Sequence, residues 1–189
     1  MPNSFWKSQN PTGSKKVGWA LCCATVYAMM RTFYGKGTQP TNRYDLVTEH
    51  KSNIWKHGYK VHDYYMPAKN SQRATEGIAK LDQYMDEHKP VMVGVSHTLS
   101  MLFSSKGDDG VTRYREINDG TIDHFVAIVG TGVDSKGKYY RFFDVGTTNS
   151  GKDRGTSALN RLYYNPATGF YEGTSQATGK KYVLTQLRF

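Results

Sequence analysis

The chain has 189 residues, 38% hydrophobic and 22% charged, enough to bury one core; no window approaches the ~18 apolar residues of a membrane span. Its 25 Lys and Arg against 16 Asp and Glu give a net charge of +9, which favours polyanionic partners such as acidic cell-wall polymer or an anionic surface. The basic residues are scattered, with Lys15-Lys16 and Lys180-Lys181 the adjacent pairs, and no recognition motif accompanies them, so nucleic acid is not an expected partner.

Residues 2–16, rich in Pro, Ser, Asn, Gly and Lys, read as an irregular arm that contains Gln9 and lacks the apolar core of a signal peptide. A cytoplasmic location, export by a route that reads no cleavable signal, or prior processing fits this. A helix is predicted over Gly18–Tyr34, closed by Gly35 as a C-cap glycine. After a turn-rich loop, Asn42 or Thr41 is expected to cap a short helix over Tyr44–His50 with Leu46 and Val47 inward. Residues 51–70 show no clear period and read as loop with one short strand.

Ile78, Leu81 and Met85 recur at spacing three and four, which predicts a helix over Ser71–His88, ended by Lys89-Pro90. Pro90–Val95 reads as a buried strand and Val111–Ile117 as another. Asn118-Asp119-Gly120 is a hairpin signal that delivers a central strand over Ile122–Gly130. A turn at Val133–Lys138 and a strand over Lys138–Val145 follow, then a Gly/Ser/Thr/Asn loop over Gly146–Ala158 that could rim a site. Late strands are expected at Leu159–Tyr164, Gly169–Glu172 and Tyr182–Arg188. Helices first and an antiparallel sheet after them predict the α+β class, as one domain over residues 1–189.

The two cysteines, Cys22 and Cys23, are neighbours, so a disulfide between them would be strained and no disulfide framework exists. A structural zinc site wants four ligands, and no metal is expected. A reactive thiol or a packed core thiol remains. A thiol near a helix N-terminus is acidified by unpaired backbone N–H groups and the helix dipole. Such a thiolate needs a base, a group to orient the base, and donors for an oxyanion.

Of the six histidines, five lie in polar segments where exposure is the default. His124 differs, because it starts a strongly apolar strand just after a hairpin. The next strand ends in Phe142-Phe143-Asp144-Val145-Gly146. If the two strands pair through the turn near residue 135, His124 and Asp144 fall near opposite positions, and the carboxylate can fix the imidazole tautomer. Asp123 points to the other face of its strand and is a poor partner for His124. Tyr163, Tyr164, Phe170 and Tyr171 read as strand filler or as a wall for sugar or peptide.

Cys22-Cys23-Ala24-Thr25-Val26-Tyr27-Ala28-Met29-Met30-Arg31-Thr32-Phe33-Tyr34-Gly35 resembles the nucleophile helix of papain-like cysteine peptidases, nearest to the bacteriocin-processing-like (double-glycine peptidase-like) branch. Lys89–Val95 is similar to that branch's Lys-Pro-apolar strand, Asp123–Gly130 to its histidine strand, and Tyr139–Asp144 to the strand bearing the orienting acid. The resemblance spans residues 9 to 146 in order and implies a papain-like fold, with the nucleophile helix packed on an antiparallel sheet. It implies Cys22 as nucleophile, His124 as general base and acid, Asp144 as orienter and Gln9 as oxyanion donor, without cofactor. Three positions depart from the pattern. Gln9 lies farther upstream than is usual, Cys23 replaces a glycine and competes as nucleophile, and Val145 replaces a proline.

The function this implies is cleavage of an amide bond by a Cys-His-Asp mechanism. A bacterial peptidase, or a peptidoglycan amidase acting as an effector toxin with an inhibitor or immunity protein as partner, fits the size and charge. An inactive papain-like module that binds an acidic partner, or an acyltransferase with the same triad, is the alternative.

Overall fold

The computed structural model describes residues 1–10, 21–35, 40, 42–97, 102–106, 108–116 and 122–189. Its centre is a ring of six strands, each antiparallel to both neighbours: β4 (Val91–Ser96), β7 (His124–Asp134), β8 (Gly137–Phe143), β9 (Arg161–Asn165), β10 (Phe170–Thr174) and β11 (Lys181–Arg188). Pairing of β11 back onto β4 closes the ring, and a short β1 (Arg43–Asp45) continues along the far end of β11. Closure leaves the ring without a free edge. The expected antiparallel sheet is thus present, curled into a barrel, and the α+β class holds.

Side-chain alternation on β4, β7 and β8 builds two cores. Val91, Val93, Val95, Val126, Ile128, Tyr140 and Phe142 face one way, with Leu162, Tyr182, Leu184 and Leu187. Leu81 and Met85 of α2 (Ser71–Asp86) cover that core, as the helical spacing predicted, with Ile78 and Ala74 packed beside them. Asn70 caps α2 by accepting from Arg73 N at 3.2 Å. On the other face lie Met92, Ala127, Phe143 and Val145, covered by α1 (Cys22–Tyr34) through Val26, Met29 and Met30. Burying each of these three side chains contributes about 1.5–3 kcal/mol, which fixes α1 against β7.

The described helix begins at Cys22, with Leu21 as its N-cap; residues 18–20 of the predicted span lie outside the described residues, as does the hairpin signal at 118–120. Gly35 is the C-cap, at φ 93°. No helix among the described residues is long and apolar enough to cross a membrane.

Three expectations are corrected. The predicted helix over 44–50 is strand: residues 43–45 are drawn into the ladder on β11, and β2 (Val47–Lys56) pairs with β3 (Tyr59–Lys69) as a long hairpin through the predicted loop. Leu46 and Val47 are inward all the same. The ribbon forms a two-stranded sheet of its own, apart from the six-strand ring. A second such pair is β5 (Leu102–Lys106) with β6 (Thr112–Glu116).

Nor is the N-terminal arm wholly irregular. Residues Asn3–Phe5 form a 3-10 turn, Phe5 and Trp6 are buried in the α1 core, and residues 8–10 run beside residues 145–148. The loop after β8 carries a 3-10 turn (Asn149–Gly151) and a single helical turn, α3 (Lys152–Gly155).

Candidate active site

Three elements converge where α1 begins, β7 begins and β8 ends. Cys22 is the first residue of α1, so the backbone N–H groups of that first turn have no intrahelical acceptor. The thiol is half-buried, accepts from the N–H groups of Cys23 and Phe125, and shares a hydrogen bond with His124.

His124 is nearly buried at the start of β7, paired opposite Val95 of β4. Its Nε2 lies 2.9 Å from Asp144 Oδ1, which leaves Nδ1 for the sulfur. Asp144 directly follows β8 and is fully buried. Continuing the β7–β8 register from Ala127↔Phe143 sets Asp144 opposite Val126, two positions from His124. Without the bulge at Val129 the register would set Asp144 opposite Ala127, on the other face; the bulge shortens the offset to two, and the two-residue period keeps His124 and Val126 on one face. The predicted approach of the two side chains is therefore present.

The carboxylate accepts from four donors. His124 Nε2 at 2.9 Å and Gly146 N at 2.7 Å reach Oδ1; Ser175 Oγ at 2.5 Å and Tyr182 Oη at 2.8 Å reach Oδ2. The Asp144 backbone is pinned too. Its N–H donates to Gly155 O at 2.8 Å, and its carbonyl accepts from Trp6 Nε1 at 2.6 Å. A Cβ on Gly155 would stand 2.6 Å from that carbonyl, so only glycine fits there.

The electrostatics follow from this geometry. Burial alone would strip the charge from all three groups. For Cys22 burial pushes the thiol up, but the His124 hydrogen bond, its charge and the two N–H groups outweigh it and leave the thiol below its ordinary value. For His124 burial favours the neutral ring, yet Asp144 and Cys22 push it up to about 9. For Asp144 burial favours the acid form, but His124, Ser175 and the Gly146 N–H hold it below the usual carboxylate range. The arrangement thus favours a thiolate beside an imidazolium beside a carboxylate. Cys23 behaves differently: burial raises it, and the nearby Arg188 guanidinium only partly offsets that.

Gln9 donates its backbone N–H to Val145 O at 3.0 Å, which seats it beside the residue after Asp144. Its side-chain Oε1 is buried without a hydrogen-bond partner among the described residues. A half-turn of that amide exchanges acceptor for donors.

Sequence reasoning missed Ser175, Tyr182, Gly146 and Trp6 as parts of this site. It also assigned His97 to the exposed histidines, whereas His97 is half-buried and stacked on Tyr182, with ring centroids 5.5 Å apart and planes at 21°. Asp123 accepts from His97 N at 2.7 Å and Ser96 Oγ at 3.1 Å, the separate role that strand alternation suggested.

A papain-like class is what this fold and site suggest, and a comparison with family models bears on it directly. The model of the Peptidase_C39 like family matches residues 3–178. The chain belongs to that family, within the papain-like cysteine peptidase superfamily, and a peptide substrate is what the family implies. No curated protein matches the chain, and no solved structure does.

Proposed function

We propose that the protein hydrolyses a peptide amide bond with Cys22 as nucleophile, His124 as general base and then acid, and Asp144 as the residue that orients His124. The observation that carries this reading is the His124 imidazole, hydrogen-bonded to the Cys22 thiol and to the Asp144 carboxylate, at a helix N-terminus within a peptidase family. The thiolate attacks the scissile carbonyl carbon, and the C=O electrons move to oxygen. The Cys22 backbone N–H, with Gln9 once its amide presents Nε2, would donate to that oxyanion. As the tetrahedral species collapses, the imidazolium proton passes to the leaving amine and a thioester remains. Water then attacks the thioester, His124 takes its proton, and the carboxylic product leaves with Cys22 restored.

The lowered thiol at Cys22 and the raised one at Cys23 support the first cysteine as nucleophile. The +9 charge supports a substrate embedded in a polyanionic matrix, such as peptide within a bacterial cell wall, as for a secreted effector amidase. Wild-type protein and Cys22→Ala are to be incubated with purified peptidoglycan and, separately, with an unfolded protein, and products identified by mass spectrometry. New amine ends in one substrate, absent with Cys22→Ala, are expected. A folded Cys22→Ala protein with full hydrolytic activity overturns the assignment.

A further inference from the structure

We propose that Ser175 and Tyr182 form a positioning clamp that saturates Asp144 Oδ2 and so leaves Oδ1 facing His124 in one fixed direction. The inference rests on the reading above but concerns two residues that reading does not use. One of them, Tyr182, lies beyond the residues that the family model matches.

Proton bookkeeping gives the clamp its direction. A serine hydroxyl carries one proton and two lone pairs. Ser175 Oγ accepts from Ala177 N at 3.1 Å and Thr178 N at 3.2 Å, so its proton is committed to Asp144 at 2.5 Å. The second arm runs the same way. Lys180 N donates to Thr178 Oγ1 at 3.3 Å, Thr178 Oγ1 lies 3.0 Å from Tyr182 Oη, and Tyr182 Oη donates to Asp144 Oδ2 at 2.8 Å. Both arms end in a hydrogen bond donated to the carboxylate.

The tyrosine ring cannot swing away. His97 stacks on it, His124 tilts against it with centroids 5.6 Å apart, and Phe142 lies 5.8 Å off. Burial raises the Tyr182 phenol, so it keeps its proton and remains a donor in alkaline solution. The turn over 175–179 also closes over the acid, since Thr178 Cγ2 would stand 2.9 Å from a Cβ on Gly146.

A carboxylate with both oxygens saturated stays ionised and cannot rotate, which keeps the counter-charge under the imidazolium. The titratable groups around it are His124 from β7 with Cys22 beyond it, Tyr182 from β11, and His97 and Lys180 across the tyrosine ring. Without the clamp, Asp144 takes a proton at a higher pH and the imidazolium loses its partner sooner on acidification.

The test is the pH profile of iodoacetamide alkylation at Cys22, followed by mass spectrometry, for wild type, Tyr182→Phe, Ser175→Ala and Ser175→Thr. Tyr182→Phe keeps the ring stack and removes only the donor. Tyr182→Phe and Ser175→Ala should each move the acid limb up by about one pH unit and slow labelling in mild acid about tenfold, while Ser175→Thr restores the wild-type profile. Wild-type profiles in both Tyr182→Phe and Ser175→Ala overturn the clamp alone. A wild-type Cys22 no more reactive than free cysteine overturns the nucleophile reading and the clamp with it.

Discussion

Two aspartates stand at opposite ends of the β7–β8 hairpin, and each is held by a tyrosine hydroxyl. Asp134, at the turn, accepts from Tyr163 Oη at 2.6 Å, Arg161 Nη1 at 2.6 Å and Lys136 N at 2.8 Å. Asp144, at the far end, accepts from Tyr182, Ser175, Gly146 and His124. The number of donors is similar, and both carboxyls are held below their ordinary value.

The difference lies in burial and in the cation. Asp134 and Arg161 sit at the surface, with side chains 27% and 24% exposed, and a guanidinium does not give up its proton. Asp144 is 0% exposed, and its partner is an imidazole that can hand a proton on. A well-bonded acid is therefore no mark of a functional site. A buried acid against a titratable ring, with a thiol on the ring's other side, is such a mark.

The sharpest way to break the comparison is to remove the ring. His124→Ala should lower turnover by about 10²–10⁴-fold, the span usual for general acid–base groups, with the fold retained by circular dichroism. Unchanged turnover would put the two ends of the hairpin on one footing.

Asp144→Ala comes next. It strands His124, Ser175 and Tyr182 without their acceptor, and breaking such a buried pair costs about 3–5 kcal/mol in urea unfolding, with most turnover lost. Asp134→Asn in the same assay should stay within about twofold of wild-type turnover, because exposed ion pairs contribute little. Equal losses in the two variants would show that Asp144 is structural only.

The pH dependence sharpens the same contrast. The His124 value in the folded protein lies above its ordinary 6.5, so its contribution to stability is full below 6.5 and disappears as pH rises through about 9. Asp144 is held low, so its contribution is present above the ordinary carboxylate range and disappears on strong acidification. Turnover should fall along an alkaline limb near 9, as the imidazolium is lost. Urea midpoints measured across that limb should fall with it, and less so in Asp144→Asn.

A smaller effect than that of Asp144→Ala is expected at Gly146, whose N–H completes the contacts to Oδ1. A Cβ there would lie 2.9 Å from Asp144 Oδ1 and 2.9 Å from Thr178 Cγ2. Gly146→Ala should cost about 1–3 kcal/mol of stability by overpacking, with reduced turnover, whereas alanine at Gly130, where nothing lies within 4 Å, should be tolerated better.

What was legible in the sequence follows from how far each signal reaches. Cys22 at a helix start, His124 opening an apolar strand and Asp144 closing another are local patterns, and a hairpin brings the last two together. Ser175 and Tyr182 reach Asp144 over 31 and 38 residues, a contact that exists only because the six strands close into a ring. No local period announces ring closure. Trp6 is more remote still, at 138 residues from Asp144, and its neighbours in the chain are those of a loop. The β2–β3 ribbon escaped for another reason: it pairs with itself alone, and residues 51–70 show no clear period in the sequence.

The claim on which the account turns is that His124 is an imidazolium between a thiolate and a carboxylate. Following the His124 ring by NMR as pH is raised tests it directly. The account predicts a ring that stays protonated through neutrality and releases its proton near 9, with the Cys22 thiol already ionised below its ordinary value. A ring that titrates near the ordinary 6.5, with Cys22 protonated at neutral pH, would contradict it.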